Sequence, residues 1–249
     1  LEEAKELLPK GVQPVEIYTT LDLDLYNEIL GIARNRVEAL EIKNASQAAA
    51  LMVDNRNQEI LAMLGSIDYF GDSGQINGVT SLMQPGSSMK PFTYALALDS
   101  KHYHLSTILP DIYTEFPSAV GKYIPSNYDE HYHGPVRLAV SLGSSYNVTS
   151  VYLLQQVGVQ NLYDLLQEMN FDSLDQPAYF YGLGLTLGNG DISLWELVHG
   201  YTIFPNEGRF EELKSLFYVV GSDGETYFPE ESDGKELIPP ESAFLINHV

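Results

Sequence analysis

Residues 84–94, Gln-Pro-Gly-Ser-Ser-Met-Lys-Pro-Phe-Thr-Tyr, constrain the fold more than any other stretch of the chain. Pro85-Gly86 is turn chemistry. Met89, Phe92, Tyr94, Ala95, Leu96 and Leu98 then form a mostly apolar run of helix formers, so the spacing predicts a buried helix beginning near Ser87. Pro91 falls within or just past the first turn, where a missing N–H costs least. On such a helix Ser87 and Lys90 stand three residues apart and share a face. A serine hydroxyl is a poor nucleophile until a base takes its proton, and lysine serves as that base when burial and nearby positive charge depress its pKa. The helix N-terminus adds a backbone N–H and the positive end of the dipole for an oxyanion on an attacked carbonyl. Together these features point to acyl transfer.

Spacing alone is weak, since S-x-x-K arises by chance about once in a chain of this length. Ser232-Asp233-Gly234-Lys235 is such a match, set among Gly, Asp and Pro and read as solvated loop. The Ser87 match is stronger through its helical context. Composition narrows the function classes further. The 249 residues are 44% hydrophobic and 19% charged, enough for one large domain or two small ones with a real core. A formal net charge of −21 argues against nucleic acid or an anionic membrane surface as partner. The lack of cysteine excludes disulfides and thiolate metal sites. No apolar run approaches the ~20 residues that span a bilayer, and the first residues do not read as a signal peptide.

Along the chain, residues 1–14 read as a short helical patch and linker. Val15 to Thr20 is β-branched and alternating, a strand. Asp22 or Asp24 can cap the next helix, whose apolar face is Leu25, Ile29, Ile32, Ala33, Val37 and Leu40. Residues 48–53 and 59–64 flank a polar turn and predict a β-hairpin. Residues 65–86 are loop, and 101–134 are irregular. His102, His104, His131 and His133 in that region stand near carboxylates, a combination that can ligate a transition metal. Solvated loop histidines are the commoner case, and no metal site is assigned. Helical spacing returns at 137–142, 148–156, 162–169 and 192–204, with Trp195 expected in the core. Strands follow at 213–220 and 226–228, and a last helix starts at Pro240.

With these elements in place the chain resembles the transpeptidase domain of class A penicillin-binding proteins, and its wording is closest to the type 1C branch. The resemblance rests on Ile17 to Asp22 as lead-in strand, Gln75 to Phe92 as serine block, Ser145-Tyr146-Asn147 as second motif, and Tyr181 to Gly188 with Tyr201 to Gly208 as later landmarks. It implies an α+β fold of the penicillin-binding and serine β-lactamase type, an antiparallel sheet flanked by helices with a helical subdomain. It implies Ser87 as acylated nucleophile, Lys90 as general base, Ser145 as proton relay to the leaving amine, and Asn147 as the amide that holds the substrate backbone and Lys90.

The implied activity is a D,D-transpeptidase that cross-links peptidoglycan stem peptides through a serine acyl-enzyme and is acylated by β-lactam antibiotics. It needs no cofactor. The implied organisation is a linker and lead-in strand over 1–20 and a transpeptidase domain over 21–249. The family's third motif, Lys-Thr/Ser-Gly, has no counterpart here. It is expected beyond Val249, together with the last sheet strands, so the open hairpin is expected to expose Ala50, Met52, Ile60 and Ala62. The full-length protein is expected to be extracytoplasmic, held by an N-terminal membrane anchor and carrying a glycosyltransferase domain. A serine β-lactamase or β-lactam sensor, and a non-catalytic cell-wall scaffold that keeps the fold, are the alternatives.

Overall fold

The computed structural model describes residues 2–118, 121–230 and 233–249. Ser232, the serine of the second S-x-x-K match, lies outside the described residues. In chain order the elements are α1 (Glu2–Glu6), β1 (Pro14–Thr19), α2 (Leu23–Ala39), β2 (Ala50–Asp54), β3 (Glu59–Leu64), α3 (Lys90–Asp99), β4 (Ile108–Asp111), β5 (Phe116–Ser118), β6 (Gly121–Tyr123), β7 (Gly134–Arg137) and α4 (Leu138–Gly143). They continue with α5 (Asn147–Val157), α6 (Val159–Glu168), α7 (Ala178–Tyr181), α8 (Leu194–Tyr201), β8 (Arg209–Phe210), β9 (Leu216–Gly221), β10 (Thr226–Tyr227), β11 (Lys235–Glu236) and α9 (Pro240–Asn247). Contacts divide the chain into two compact units, one of residues 1–81 with 211–234 and one of residues 82–210 with 235–249. Among the described residues no helix is long and apolar enough to cross a membrane.

In the first unit β9 lies between β1 and β10, all antiparallel. Its core is small: Ala4 of α1 and Leu8 just after it meet Leu216 and Val219 of β9. Helix α2 begins where the Asp22 side chain accepts from Leu25 N at 2.9 Å, satisfying one free donor of the first turn. Leu25, Ile29, Ala33, Val37 and Leu40 are half-buried as the spacing predicts, but Ile32 is 62% exposed. Tyr26 and Leu30 take its place, because the packed face is turned by less than one residue step of about 100°.

The predicted hairpin forms from β2 and β3, with Ala50 opposite Leu64 and Met52 opposite Ala62. The expectation that it exposes Ile60 and Ala62 is wrong: both are buried with Leu64, since alternate residues of β3 share one covered face. The outer edge of β3 is engaged as well. Asp22 N donates to Leu61 O, and Ile60 N to Lys214 O, at 2.8 Å each. Among the described residues no strand pairs with the outer edge of β2, where Met52 is 38% exposed.

The second unit is built around α3, whose Phe92, Tyr94, Ala95 and Ala97 are buried in one large cluster with residues of α5, α6, α9 and the loops after α6 and α8. Phe92 packs edge-on against Phe171 and Tyr201 and tilted on Phe204, with ring centres 5.3–5.8 Å apart. Gly200 makes room for this, because a Cβ there would come 2.5 Å from the Phe171 ring.

Trp195 does not enter that core and is half-buried. Glu196, His199 and Gly200 are the inward residues of α8, and Glu196 closes a capping box with Ser193 while also accepting from Ser173 N and Oγ. The region read as irregular contains the antiparallel pairs β4–β7 and β5–β6. Pro110 and Pro135 stand opposite each other in the first pair, and proline is what hides such short strands from sequence patterns.

Candidate active site

Gly86 to Met89 form a 3₁₀ turn, and the α-helix itself starts at Lys90 with Pro91 in its first turn. The helix predicted from Ser87 therefore begins as this tighter turn, whose last bond runs from Lys90 N to Ser87 O. Ser87 is exposed, and its hydroxyl makes no hydrogen bond to a described residue. Lys90, three residues on, is 1% exposed. The turn is pinned from two sides. Tyr201 Oη donates to Ser88 O at 2.7 Å, and Gly188 abuts Gly86 so closely that a Cβ would meet Gly86 N at 2.3 Å. Just upstream, Met83 and Ile192 exchange backbone hydrogen bonds of 2.9 and 3.0 Å.

The second motif is held by the end of one helix and the start of another. At the C-terminus of α4, Ser145 N donates to Leu142 O at 2.9 Å and Tyr146 N to Ser141 O at 3.0 Å, the bond pattern of a Schellman motif. The left-handed residue of that motif is commonly glycine; here it is Ser145, with φ 57°. A non-glycine residue there costs about 1 kcal/mol or more. The nearby Gly143 lies inside α4 and does not take the left-handed position.

Lys90 Nζ donates to Ser145 O at 2.5 Å, Ser145 Oγ at 3.0 Å and Asn147 Oδ1 at 2.7 Å. These acceptors are neutral, so no counter-charge faces the ammonium, and burial lowers Lys90 from 10.5 to about 8. A lysine so placed is a base near neutral pH. Behind it the two helices are joined by buried hydroxyls: Tyr94 of α3 bonds Ser141 at 2.7 Å and Ser150 of α5 at 3.2 Å, while Thr93 donates to Thr186 at 2.8 Å.

The structure thus brings together Lys90, Ser145 and Asn147, and places Ser87 on the turn immediately before Lys90. Sequence reasoning missed the layer behind Asn147. Asn127, in the loop before β7, accepts from Asn147 N at 2.8 Å and donates to Asp111 of β4, which is fully buried. Ser126 O accepts from Asn147 Nδ2 at 2.8 Å. His133, a candidate metal ligand by sequence, instead bonds Asp111 at 2.6 Å and Asp129 at 3.1 Å and stacks on Tyr146 at 4.2 Å. Its hydrogen bond to Asp111 raises its pKa above the ordinary histidine value, with Asp129 adding to this. Among the described residues no group of three or more His, Asp or Glu side chains is placed to hold a metal ion. An Asn and an Asp sixteen residues apart carry no sequence spacing that would have revealed this layer.

Comparison with known proteins fits this arrangement. Residues 48–248 match the family described as the penicillin binding protein transpeptidase domain. Penicillin-binding protein 1C of Escherichia coli is 30% identical over 201 residues, which cover 80% of this chain and 25% of that protein. The crystal structure of penicillin-binding protein 1A from Haemophilus influenzae aligns with a TM-score of 0.69 at 27% identity, over 80% of this chain and 34% of the other. A penicillin-binding protein 3 of Mycobacterium tuberculosis complexed with ampicillin aligns with a TM-score of 0.75 over 96% of this chain and 57% of its own, at 19% identity, a likeness of fold alone. The chain spans about a quarter of the length of the Escherichia coli relative. With its two motifs meeting at a buried lysine on a shared fold, the chain belongs to the penicillin-binding protein transpeptidase domain family.

Proposed function

We propose that this chain supplies the serine nucleophile and proton-transfer groups of a peptidoglycan D,D-transpeptidase. The observation that carries the reading is the three-way hydrogen bonding of the buried Lys90 ammonium to the Ser145-x-Asn147 motif, one turn from the exposed Ser87. Ser87 Oγ attacks the penultimate D-alanyl carbonyl of a stem peptide while Lys90 takes its proton. The C–N bond to the terminal D-alanine breaks, and Ser145 passes a proton to the departing amine. A neighbouring stem-peptide amine then attacks the ester and frees Ser87. Asn147 holds the substrate backbone, and a β-lactam enters the same path by opening its ring on Ser87.

On this reading the catalytic domain extends over residues 21–249, and residues 1–20 are linker and lead-in strand. Further chain supplies a Lys-Thr/Ser-Gly strand that binds the substrate carboxylate and adds to the sheet. The open edge of β2 supports that addition. The full-length protein acts at the extracytoplasmic face of the membrane, joined to an N-terminal anchor and a glycosyltransferase domain.

The test is covalent labelling of the full-length protein with a fluorescent penicillin, followed by peptide mass analysis. Ser87→Ala is expected to abolish labelling and Ser88→Ala to leave it largely intact. Label retained in Ser87→Ala, or lost only in Ser88→Ala, would reverse the choice of nucleophile.

A further inference from the structure

The second motif depends on a polar chain that starts in β4. Helix α5 opens at Asn147 with free backbone donors, and its capping residue Tyr146 offers them no side-chain acceptor. Asn127 Oδ1 fills that role from outside the helix, accepting from Asn147 N at 2.8 Å and Val148 N at 3.4 Å. A carboxamide could present either its oxygen or its nitrogen at this point. What selects the oxygen is the other end of the amide. Asn127 Nδ2 faces Asp111 Oδ1 and Oδ2 at 2.9 Å each and His131 O at 2.7 Å, all acceptors. Asp111 is itself fully buried and held by His133 N at 2.9 Å and His133 Nδ1 at 2.6 Å. The His133 ring then lies flat on Tyr146, the middle residue of Ser145-Tyr146-Asn147, at 4.2 Å with an interplanar angle of 14°.

We propose that Asp111 and Asn127 are positioning residues for the acylation step. The buried carboxylate fixes the Asn127 amide so that it caps α5, and this cap sets Asn147 Oδ1 against Lys90 Nζ while His133 steadies Tyr146 between the two motif residues. None of the three touches the reacting atoms. Their influence passes through Asn147 to the lysine that takes the serine proton, and a displacement of that contact by a fraction of a bond length lowers the rate of proton transfer more than it lowers stability. The inference rests on Ser87 being the acylated residue.

The experiment exchanges the pair in the full-length protein and reads the acylation rate constant by a fluorescent penicillin, separately from the β-lactam concentration at half-saturation and from the labelled fraction. In Asn127→Asp two carboxylates confront each other with no donor between them, and the acylation rate constant is expected to fall about 10- to 100-fold. Adding Asp111→Asn restores the donor between positions 111 and 127, though not the one that faced His131 O, and the exchanged pair is expected to recover part of the lost rate. A merely structural role would change the labelled fraction and the melting temperature but leave the rate constant of the folded molecules alone. An unchanged rate constant in Asn127→Asp overturns the inference, as does an exchanged pair that is no faster than the single variant. If Asn127→Asp does not fold, the exchanged pair decides alone: folded and active supports the inference, and unfolded or slow overturns it. Absence of Ser87-dependent labelling in the unsubstituted protein would instead bring down the functional reading, and this inference with it.

Discussion

The two compact units bury different things. The unit of residues 82–210 and 235–249 encloses polar groups inside a large apolar cluster: Lys90, Asp111, Thr93, Ser141, Thr149 and Ser150 are all at most 1% exposed. The other unit has a small core around Ala4, Leu8, Leu216 and Val219, and its longest helix, α2, has no buried residue. A dense core holds the partners of its buried polar side chains in place, whereas Gln58 of the other unit, 1% exposed, keeps its Oε1 without a hydrogen-bond partner among the described residues. The contrast teaches why the candidate site lies where it does. On the proposed role Lys90 needs burial without a carboxylate among its hydrogen-bond partners, and the unit that holds it supplies both.

The largest effect should follow from removing that lysine. Lys90→Met keeps most of the buried stem, so acylation should slow by about 10²–10⁴-fold while the melting temperature stays level or rises; the freed Ser145 and Asn147 acceptors can turn to water, being exposed and half-exposed. Penicillin labelling at the unsubstituted rate would sink the role of Lys90 as base. The pH dependence should carry the same mark. With Lys90 lowered from 10.5 to about 8 by burial, the folded protein releases a proton that the unfolded chain keeps between these values. Stability from this group therefore increases as pH rises across that window, and the acylation rate rises through its lower edge. A rate flat from pH 7 to 9 would contradict it.

Smaller effects sharpen the contrast between the cores. Phe92→Ala removes a ring packed against Phe171, Tyr201 and Phe204 and should cost about 3–5 kcal/mol in denaturant unfolding. Leu8→Ala, in the small cluster, should cost about 1–2 kcal/mol. Equal losses at the two positions would remove the distinction between the units. The smallest change belongs to Ile32→Ala, within about 0.5 kcal/mol, since that side chain lies in solvent. A loss above 2 kcal/mol there would mean that α2 packs on the face the sequence suggested.

Local chemistry makes much of this protein legible in its sequence. The Pro-Gly turn, the apolar run and the three-residue step from Ser87 to Lys90 are short-range properties, and so are the Asp22 cap and the hairpin. Resemblance across most of the chain supplies the α+β fold and pairs Lys90 with Ser145 and Asn147, which lie 55 and 57 residues away. Only the tertiary structure decides the rest. That Ser145 occupies the left-handed place of a helix terminus, that Trp195 stays outside the core while Glu196 goes in, and that Ile32 faces water depend on how helices rotate against their neighbours. The link from Asp111 through Asn127 to Asn147 depends on β4 and β7 meeting across two facing prolines. Periodicity reports which residues share a face. Which face is covered, and which distant acceptor meets a buried donor, is settled by the packing of the whole chain.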